Sequence, residues 1–274
     1  SKNEKKLNPN LSIATKNDKL IIADNISKFY SVDLNSGKLI WSQNNQYPFN
    51  SEIKIYEDKF FVIDYNSTLR CFNIDDGSEC WNLNTESSLT IPNSKYSLVI
   101  INDLIIFNNS VGDITAVDAS TGTIIWQLPT QSRSSINQTY NYENSKLVTD
   151  GKSLFFSNNK NEFYSIDIDS GSINWNNNIN SNLTPIILDK FLFTVSNGGY
   201  LFVIDKNTGN ILRINDVYNI YKEKNKKNIE PVGFKVGLDR LYLTNTNGDL
   251  IVINLTSGKF EKKIKIARGS ILPP

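Results

Sequence analysis

The sequence contains no histidine, no methionine and only two cysteines. Without histidine the chain lacks the commonest general base and the usual serine-protease type of relay. Most zinc sites are excluded as well, because they depend on histidine and cysteine, and two cysteines cannot hold a metal unaided. No apolar run approaches the ~20 residues that a membrane-crossing helix needs. The sequence therefore predicts a non-enzymatic protein with no transmembrane helix.

Charge of either sign is not in excess. The 29 Lys and Arg residues against 28 Asp and Glu residues give a formal net charge of +1, which offers no whole-molecule attraction to nucleic acid. The chain begins at Ser1 and has no methionine, so we expect a processed or trimmed piece. We expect membrane association only through an N-terminal lipid anchor outside it.

An eleven-residue unit, residues 116–126, recurs along the chain. A strand ends at Asp118, whose carboxylate can accept a backbone hydrogen bond and start a turn. Gly122 supplies the positive φ that closes the turn. The next strand delivers Trp126 to a buried seam, where one indole buries on the order of 200 Å².

Further copies of the unit keep the turn, and three of them keep the tryptophan four residues after the glycine. Two later copies place Arg213 and Lys262 at the tryptophan position. The glycines recur every ~40 to 50 residues, which is the period of blades in a propeller. We assign structural roles in this repeat to Asp33, Gly37, Trp41, Gly77, Trp81, Asp118, Gly122, Trp126, Asp167, Gly171, Trp175, Asp205, Gly209 and Gly258.

These repeats resemble the PQQ-type β-propeller repeat, and the resemblance covers essentially the whole chain. It implies an all-β fold, a β-propeller of four-stranded antiparallel blades, with six blades visible and a ring of seven or eight expected. The absence of histidine excludes the Gly-His signature of WD40 blades. We expect a polar tail at 1–10 and a single propeller domain at 11–274. The expected blades are 11–43, 50–84, 90–128, 144–178, 182–214 and 230–266, with 267–274 starting a further blade or closing the ring.

Apolar runs mark the second strand of each blade, and no strand has helical periodicity. The predicted second strands are Lys19–Ala23, Lys59–Ile63, Leu104–Phe107, Ser153–Phe156, Phe191–Val195 and Arg240–Thr244.

The two cysteines flank one of the turns. A four-residue turn in which Asn73 faces Ser78 would place Cys71 opposite Cys80 on one face of the hairpin. A disulfide would fit an oxidising compartment, and two small thiols in a strand pair are the alternative.

Two connections between blades are long and carry aromatic and basic residues. Residues 127–146 contain Arg133, and residues 214–229 contain Tyr218, Tyr221 and a lysine run. Since both join the last strand of one blade to the first strand of the next, both should leave the same face. Exposed loops of this kind are common sites of partner contact, although an inert solvated insertion is the alternative.

In size and blade style the chain is similar to the BamB family of outer-membrane assembly lipoproteins. That resemblance implies a periplasmic, outer-membrane-associated scaffold without a cofactor, whose partner is a BamA-like assembly subunit. In the family, neighbouring inter-blade connections in mid-chain make the contact. The corresponding candidates here are Ser94, Lys95, Arg133, Tyr140 and Tyr142.

Two other functions use the same repeat or fold. Quinoprotein alcohol dehydrogenases hold pyrroloquinoline quinone beneath a vicinal disulfide, but no two cysteines are adjacent here and all four tryptophans fall on the repeat position. A periplasmic ligand- or polysaccharide-binding propeller is the other alternative. It would need an aromatic-lined pocket at the axis.

Overall fold

The computed structural model describes residues 10–88, 95–130 and 142–269. The chain divides into two compact units, 1–141 and 142–274. Each unit contains three four-stranded antiparallel sheets, which are blades of a β-propeller fold. Within every blade the strands pair in chain order.

Blades 1 to 3 form the first unit, and each blade uses four consecutive strands. The strands are β1 (Leu11–Lys16), β2 (Lys19–Asp24), β3 (Lys28–Asp33), β4 (Leu39–Asn44), β5 (Lys54–Tyr56), β6 (Lys59–Ile63), β7 (Thr68–Asn73), β8 (Glu79–Asn84), β9 (Leu98–Ile101), β10 (Leu104–Asn108), β11 (Ile114–Asp118) and β12 (Ile124–Leu128).

Blades 4 to 6 form the second unit in the same way. The strands are β13 (Val148–Thr149), β14 (Ser153–Ser157), β15 (Phe163–Asp167), β16 (Ile173–Asn177), β17 (Ile186–Leu188), β18 (Phe191–Val195), β19 (Tyr200–Asp205), β20 (Ile211–Asp216), β21 (Pro231–Gly237), β22 (Arg240–Asn245), β23 (Asp249–Asn254) and β24 (Phe260–Lys265). A short helix, α1 (Glu223–Lys226), lies between β20 and β21.

The second strand of each blade is the most buried, as its apolar composition predicts. In β6, Phe60 to Ile63 have no exposed surface. The six predicted second strands are confirmed, each to within one residue at its end. The cores lie where consecutive blades meet: Phe29 of blade 1 packs in one cluster with Phe60 and Phe72 of blade 2. We call such a contact between consecutive blades of one unit a seam.

Each blade has two ends. One end, the turn end, carries the turns between its first and second strands and between its third and fourth strands. The other, the connection end, carries the turn between the second and third strands and the link to the next blade. In the part of the chain that the structure describes, no helix is long and apolar enough to cross a membrane.

A β-bulge interrupts the pairing of the third and fourth strands in all six blades. In blade 2 the bulge places Cys71 opposite Trp81, and Phe72 opposite Glu79. The expectation that Cys71 faces Cys80 was therefore wrong by one residue, because Cys80 is the extra residue of the bulge. Both cysteines are free thiols, Cys71 buried and Cys80 exposed.

The domain boundaries stay predictions. Residues 1–9 of the expected tail and 270–274 of the expected closing segment lie outside the described residues. The last described strand, β24, ends at Lys265.

Candidate functional site

The repeated turn is held by its first side chain. Asp118 Oδ1 accepts hydrogen bonds from the backbone N–H groups of Ser120 (3.0 Å) and Thr121 (2.7 Å) and from the Thr121 hydroxyl. These bonds lower the pKa of Asp118, and the bond from the Thr121 hydroxyl has the largest effect. The carboxylate is thereby committed to its own turn. The same arrangement recurs at Asp33, Asp167, Asp205 and Asn254.

The tryptophan of one blade docks on the turn of the next blade. Trp41 donates its indole N–H to the carbonyl oxygen of Ile74 at 3.0 Å. Gly77, at φ +73°, lies against the indole so closely that a Cβ there would be 2.7 Å from Trp41 Cζ3. Trp81 and Trp175 make the equivalent bonds to Ala119 (3.3 Å) and Lys206 (2.9 Å). Glycine is thus required both for the turn and for the docking.

The seam between blades 5 and 6 is closed differently. Arg213 faces Val203 in β19, as Trp41 faces Ser31 in β3. Its guanidinium donates to the carbonyl oxygens of Leu255 and Thr256 in the next turn. A groove of about 400 Å³ remains at the turn end of this seam, and Arg213 lines it.

Two inter-blade connections of the first unit lie side by side at the connection end. Tyr96 donates its backbone N–H to the carbonyl oxygen of Asn50 at 2.8 Å, and Ser51 and Tyr96 form a parallel bridge. The Tyr96 side chain is buried, and its hydroxyl accepts a hydrogen bond from Ser67 Oγ at 3.2 Å. Burial raises the pKa of Tyr96. The buried Tyr96 side chain therefore anchors the end of the connection between blades 2 and 3, next to Lys95.

Of the predicted contact residues, Lys95 is exposed on this connection. Tyr142 is not available as a surface anchor: it is only 7% exposed and accepts a hydrogen bond from Asn158 Nδ2 at 3.5 Å. The expectation of an exposed Tyr142 was wrong because the side chain turns inward at the start of blade 4. Ser94, Arg133 and Tyr140 lie outside the described residues.

The second long connection also turns its tyrosines inward. Tyr218 is 1% exposed and packs on Gly199, where a Cβ would be 2.2 Å from the Tyr218 ring. Tyr221 donates its hydroxyl proton to Asp249 Oδ2 at 2.6 Å, and burial raises its pKa. Within the lysine run, Lys226 pairs with Asp216 at 3.0 Å. These tyrosines therefore stabilise the seam rather than forming an exposed loop.

Tyr47 is a candidate contact residue that the sequence reasoning missed. It lies in the connection between blades 1 and 2, and its side chain is 38% exposed. Its carbonyl oxygen accepts a hydrogen bond from Asn45 Nδ2 at 2.8 Å. The sequence offered one signal for this residue. Tyr47 directly precedes Pro48, in the segment between the end of β4 and a buried phenylalanine.

No group of three or more His, Cys, Asp or Glu side chains that could hold a metal occurs within residues 10–88, 95–130 and 142–269. Two effects raise the pKa of the Cys71 thiol well above its usual value: burial, which is the larger, and a hydrogen bond with Cys80. Cys71 is therefore an unreactive thiol in the folded protein.

The family model and the two curated relatives name the same family. The family model described as outer membrane protein assembly factor BamB matches residues 1–215. The protein of that name from Shewanella oneidensis is 31% identical over 147 residues, which cover 53% of this chain and 32% of that protein. The one from Moranella endobia is 20% identical over 262 residues, covering 94% of this chain and 65% of that protein. The chain thus spans less than two thirds of the length of either relative.

Among solved structures, the crystal structure of BamB from Moraxella catarrhalis superposes with a TM-score of 0.76 at 16% identity. The superposition covers 96% of this chain and 78% of that one. At this identity the likeness establishes the fold, a β-propeller of four-stranded blades.

Proposed function

Because the chain belongs to the family of the outer membrane protein assembly factor BamB, we propose that it is a non-enzymatic scaffold that supports the assembly of outer-membrane β-barrel proteins. It acts in the periplasm, at the outer membrane, by docking a BamA-like subunit. The relatives whose names support this proposal are longer than this chain. We therefore propose the role only for the blades that this sequence contains.

The proposed docking site rests on one observation: two inter-blade connections are in contact and form one surface. The hydrogen bond from Tyr96 to Asn50 holds them together, and the buried Tyr96 side chain anchors the end of the second connection. Tyr47 and Lys95 project from these two connections as exposed residues. Tyrosine and a cation presented beside such an anchored pair of residues are suited to contact a partner, and anchoring lowers the entropy lost on binding.

Calorimetry with the periplasmic region of the BamA-like subunit tests the proposal. Tyr47→Ala should weaken binding by ~2 kcal/mol, about thirtyfold, if this tyrosine is an anchor. Lys95→Ala should act mainly on the association rate and its salt dependence. Neither change should lower the thermal midpoint, since both side chains are exposed.

Matched controls separate the surface from general effects. Lys38→Ala changes an exposed lysine at the turn end of blade 1, and Tyr200→Ala changes a tyrosine that is 45% exposed in the second unit. Both should bind like the parent. Failure of the parent to bind would overturn the proposed function, while equal affinities of parent and Tyr47→Ala would overturn this docking site.

A further inference from the structure

Two thiols lie at the β-bulge of blade 2, and neither belongs to the docking surface proposed above. Cys71 is fully buried and faces Trp81 in β8, while Cys80 is the extra residue of the bulge and is exposed. An exposed thiol next to a buried one can take a sulfur–sulfur bond from a reagent in solvent and pass it inward. Whether it does so depends on where the bulge directs the Cys80 side chain.

Blade 4 shows where the side chain of this extra residue points. There the extra residue is Asn174, and the tryptophan that follows it faces Ser165. Although Asn174 is exposed, its side-chain amide donates a hydrogen bond to the hydroxyl of the buried Ser165 at 3.2 Å. The extra residue therefore reaches the residue that faces the tryptophan. In blade 2, Cys80 and Cys71 occupy these two positions.

The same contact is present between the two thiols. The Cys71 thiol is hydrogen-bonded with Cys80, so the two sulfur atoms are close to each other across the bulge. Adjacent strands of a sheet lie ~4.7–4.9 Å apart, and a disulfide needs Cα atoms ~4.4–6.8 Å apart. The spacing of β7 and β8 is therefore compatible with a disulfide between these residues.

The buried end of the pair lies in the seam between blades 2 and 3. Cys71 belongs to the same apolar cluster as Phe61 and Tyr96, and Trp81 packs against this cluster. Trp81 also donates its indole N–H to the carbonyl oxygen of Ala119 in blade 3. A bond between the two sulfur atoms would thus join β7 to β8 next to the side chain that docks blade 2 on blade 3.

We propose that Cys71 and Cys80 are a redox pair that closes to an intrachain disulfide across the bulge when a disulfide oxidant is present. Such a bond fits an oxidising compartment such as the periplasm, and that compartment rests on the function proposed above. The reaction itself depends only on the hairpin of blade 2.

The bond forms in two exchange steps. Cys80, which solvent reaches, attacks one sulfur of oxidised glutathione, forms a mixed disulfide and releases one glutathione thiolate. Cys71 then attacks the Cys80 sulfur, the second glutathione leaves, and the two leaving thiolates take up the protons of the two cysteines. The cysteines lose two electrons, which the oxidant gains. Because burial keeps Cys71 from meeting reagents directly, the exposed partner has to react first.

Mass spectrometry of a single proteolytic fragment tests the pair. The folded, reduced protein is incubated with oxidised glutathione, quenched with iodoacetamide and digested with trypsin. Cleavage after Arg70 and Lys95 leaves both cysteines in the fragment 71–95. We expect this fragment to lose two hydrogen atoms, to carry neither glutathione nor the alkyl group, and to regain both thiols with dithiothreitol. The oxidised protein should also have a higher thermal midpoint than the reduced protein, because the bond restricts the unfolded chain.

Three variants serve as controls. In Cys80→Ser, the Cys71 thiol should stay reduced and free of glutathione in the folded protein. Cys71→Ser should stop at the mixed disulfide on Cys80, and it should fold because serine faces the tryptophan in blades 1 and 4. Cys80→Ser with Asn82→Cys moves the exposed thiol to the position that faces Arg70, on the other side of the hairpin. This variant should also stop at the mixed disulfide.

A mixed disulfide that persists on Cys80 of the parent, to the level reached in the Asn82→Cys variant, would overturn the proposal. So would a Cys80 thiol that does not react, or disulfides between two chains. An oxidised protein that melts below the reduced one would show that the folded bulge does not accommodate the bond. Since no assembly partner is present, a failure here does not bear on the docking proposal, and a failure of docking does not bear on this pair.

Discussion

The seam between blades 1 and 2 and the seam between blades 5 and 6 share a turn, a β-bulge and a strand register, but they close with different side chains. In the first seam Trp41 packs edge-on against Phe29, with ring centroids 5.8 Å apart, and stacks on Phe60 at 6.2 Å. In the second seam Arg213 makes two hydrogen bonds to the next turn. The turn thus accepts either an indole or a guanidinium as its hydrogen-bond donor.

The two seams also differ in how well their polar groups are satisfied. Among the described residues, three buried atoms of the 5/6 seam have no hydrogen-bond partner, namely Arg213 Nε, Asn215 Oδ1 and the Tyr218 hydroxyl, against Ser31 Oγ opposite Trp41 in the 1/2 seam. Each buried unsatisfied group of this kind costs about 1–3 kcal/mol. The arginine seam therefore carries the larger cost of unsatisfied polar groups.

The largest expected effect is the loss of the indole from the 1/2 seam. Trp41→Ala should lower the free energy of unfolding by ~3 to 5 kcal/mol, because it removes a large aromatic side chain from a packed cluster. Trp41→Phe should cost less, since it keeps an aromatic ring and loses the hydrogen bond to Ile74, worth about 1 kcal/mol. Urea denaturation measures both, and an unchanged midpoint for Trp41→Ala would contradict the docking role.

A pair of glycine variants separates docking from turn conformation. Gly37 and Gly77 occupy the same turn position with φ values of +68° and +73°, but nothing lies within 4 Å of a Cβ built on Gly37. Gly37→Ala should therefore cost only the left-handed penalty of ~1–2 kcal/mol. Gly77→Ala should cost about 1–3 kcal/mol more, because Trp41 has to move. Equal effects in thermal or urea unfolding would mean that the indole does not press on the turn.

The smallest effect concerns the charge of the turn side chain. The hydrogen bonds from Ser170 lower the pKa of Asp167 below its usual 3.8, so its contribution to stability is present above that pH and is lost as the pH falls through the folded-state pKa. Asp167→Asn keeps the acceptor, as Asn254 does in blade 6. Its thermal midpoint should fall less than that of the parent between about pH 5 and pH 2.5. If the thermal midpoints of Asp167→Asn and the parent fall equally over this pH range, the pH dependence comes from other carboxylates.

The apolar runs and turn residues predicted the second strands well, because an inner strand buried on both faces has to be continuously apolar. The register around Cys71 and Cys80 was not predictable in the same way. A bulge adds one residue without a change in composition, and that residue moves Cys80 to the exposed side. Glycine and tryptophan positions mark the turn and the seam, but they do not show where the extra residue is inserted.

The sequence also did not show whether the side chains in the connections between blades are buried or exposed. Tyr142 and Tyr218 looked like loop anchors, yet both are buried, while the exposed Tyr47 went unnoticed. Tyrosine suits both environments, since its ring can be buried while its hydroxyl forms a hydrogen bond. For Tyr218, the sequence did contain a usable signal in Gly199, the glycine on which its ring packs. A glycine next to a strand can mark the close approach of a ring.

Hydrogen exchange of the turn amides tests most directly whether the docking side chain sets the tightness of a seam. The N–H groups of Gly77 and Gly258 make the same bond within their turns, to Asn73 at 3.0 Å and Asn254 at 2.8 Å. Because an indole covers Gly77 while only the smaller amide of Asn215 lies against Gly258, Gly77 should exchange at least tenfold more slowly than Gly258. Trp41→Ala should remove this difference and leave the Gly258 rate unchanged. Equal protection of the two amides in the parent protein would contradict the account.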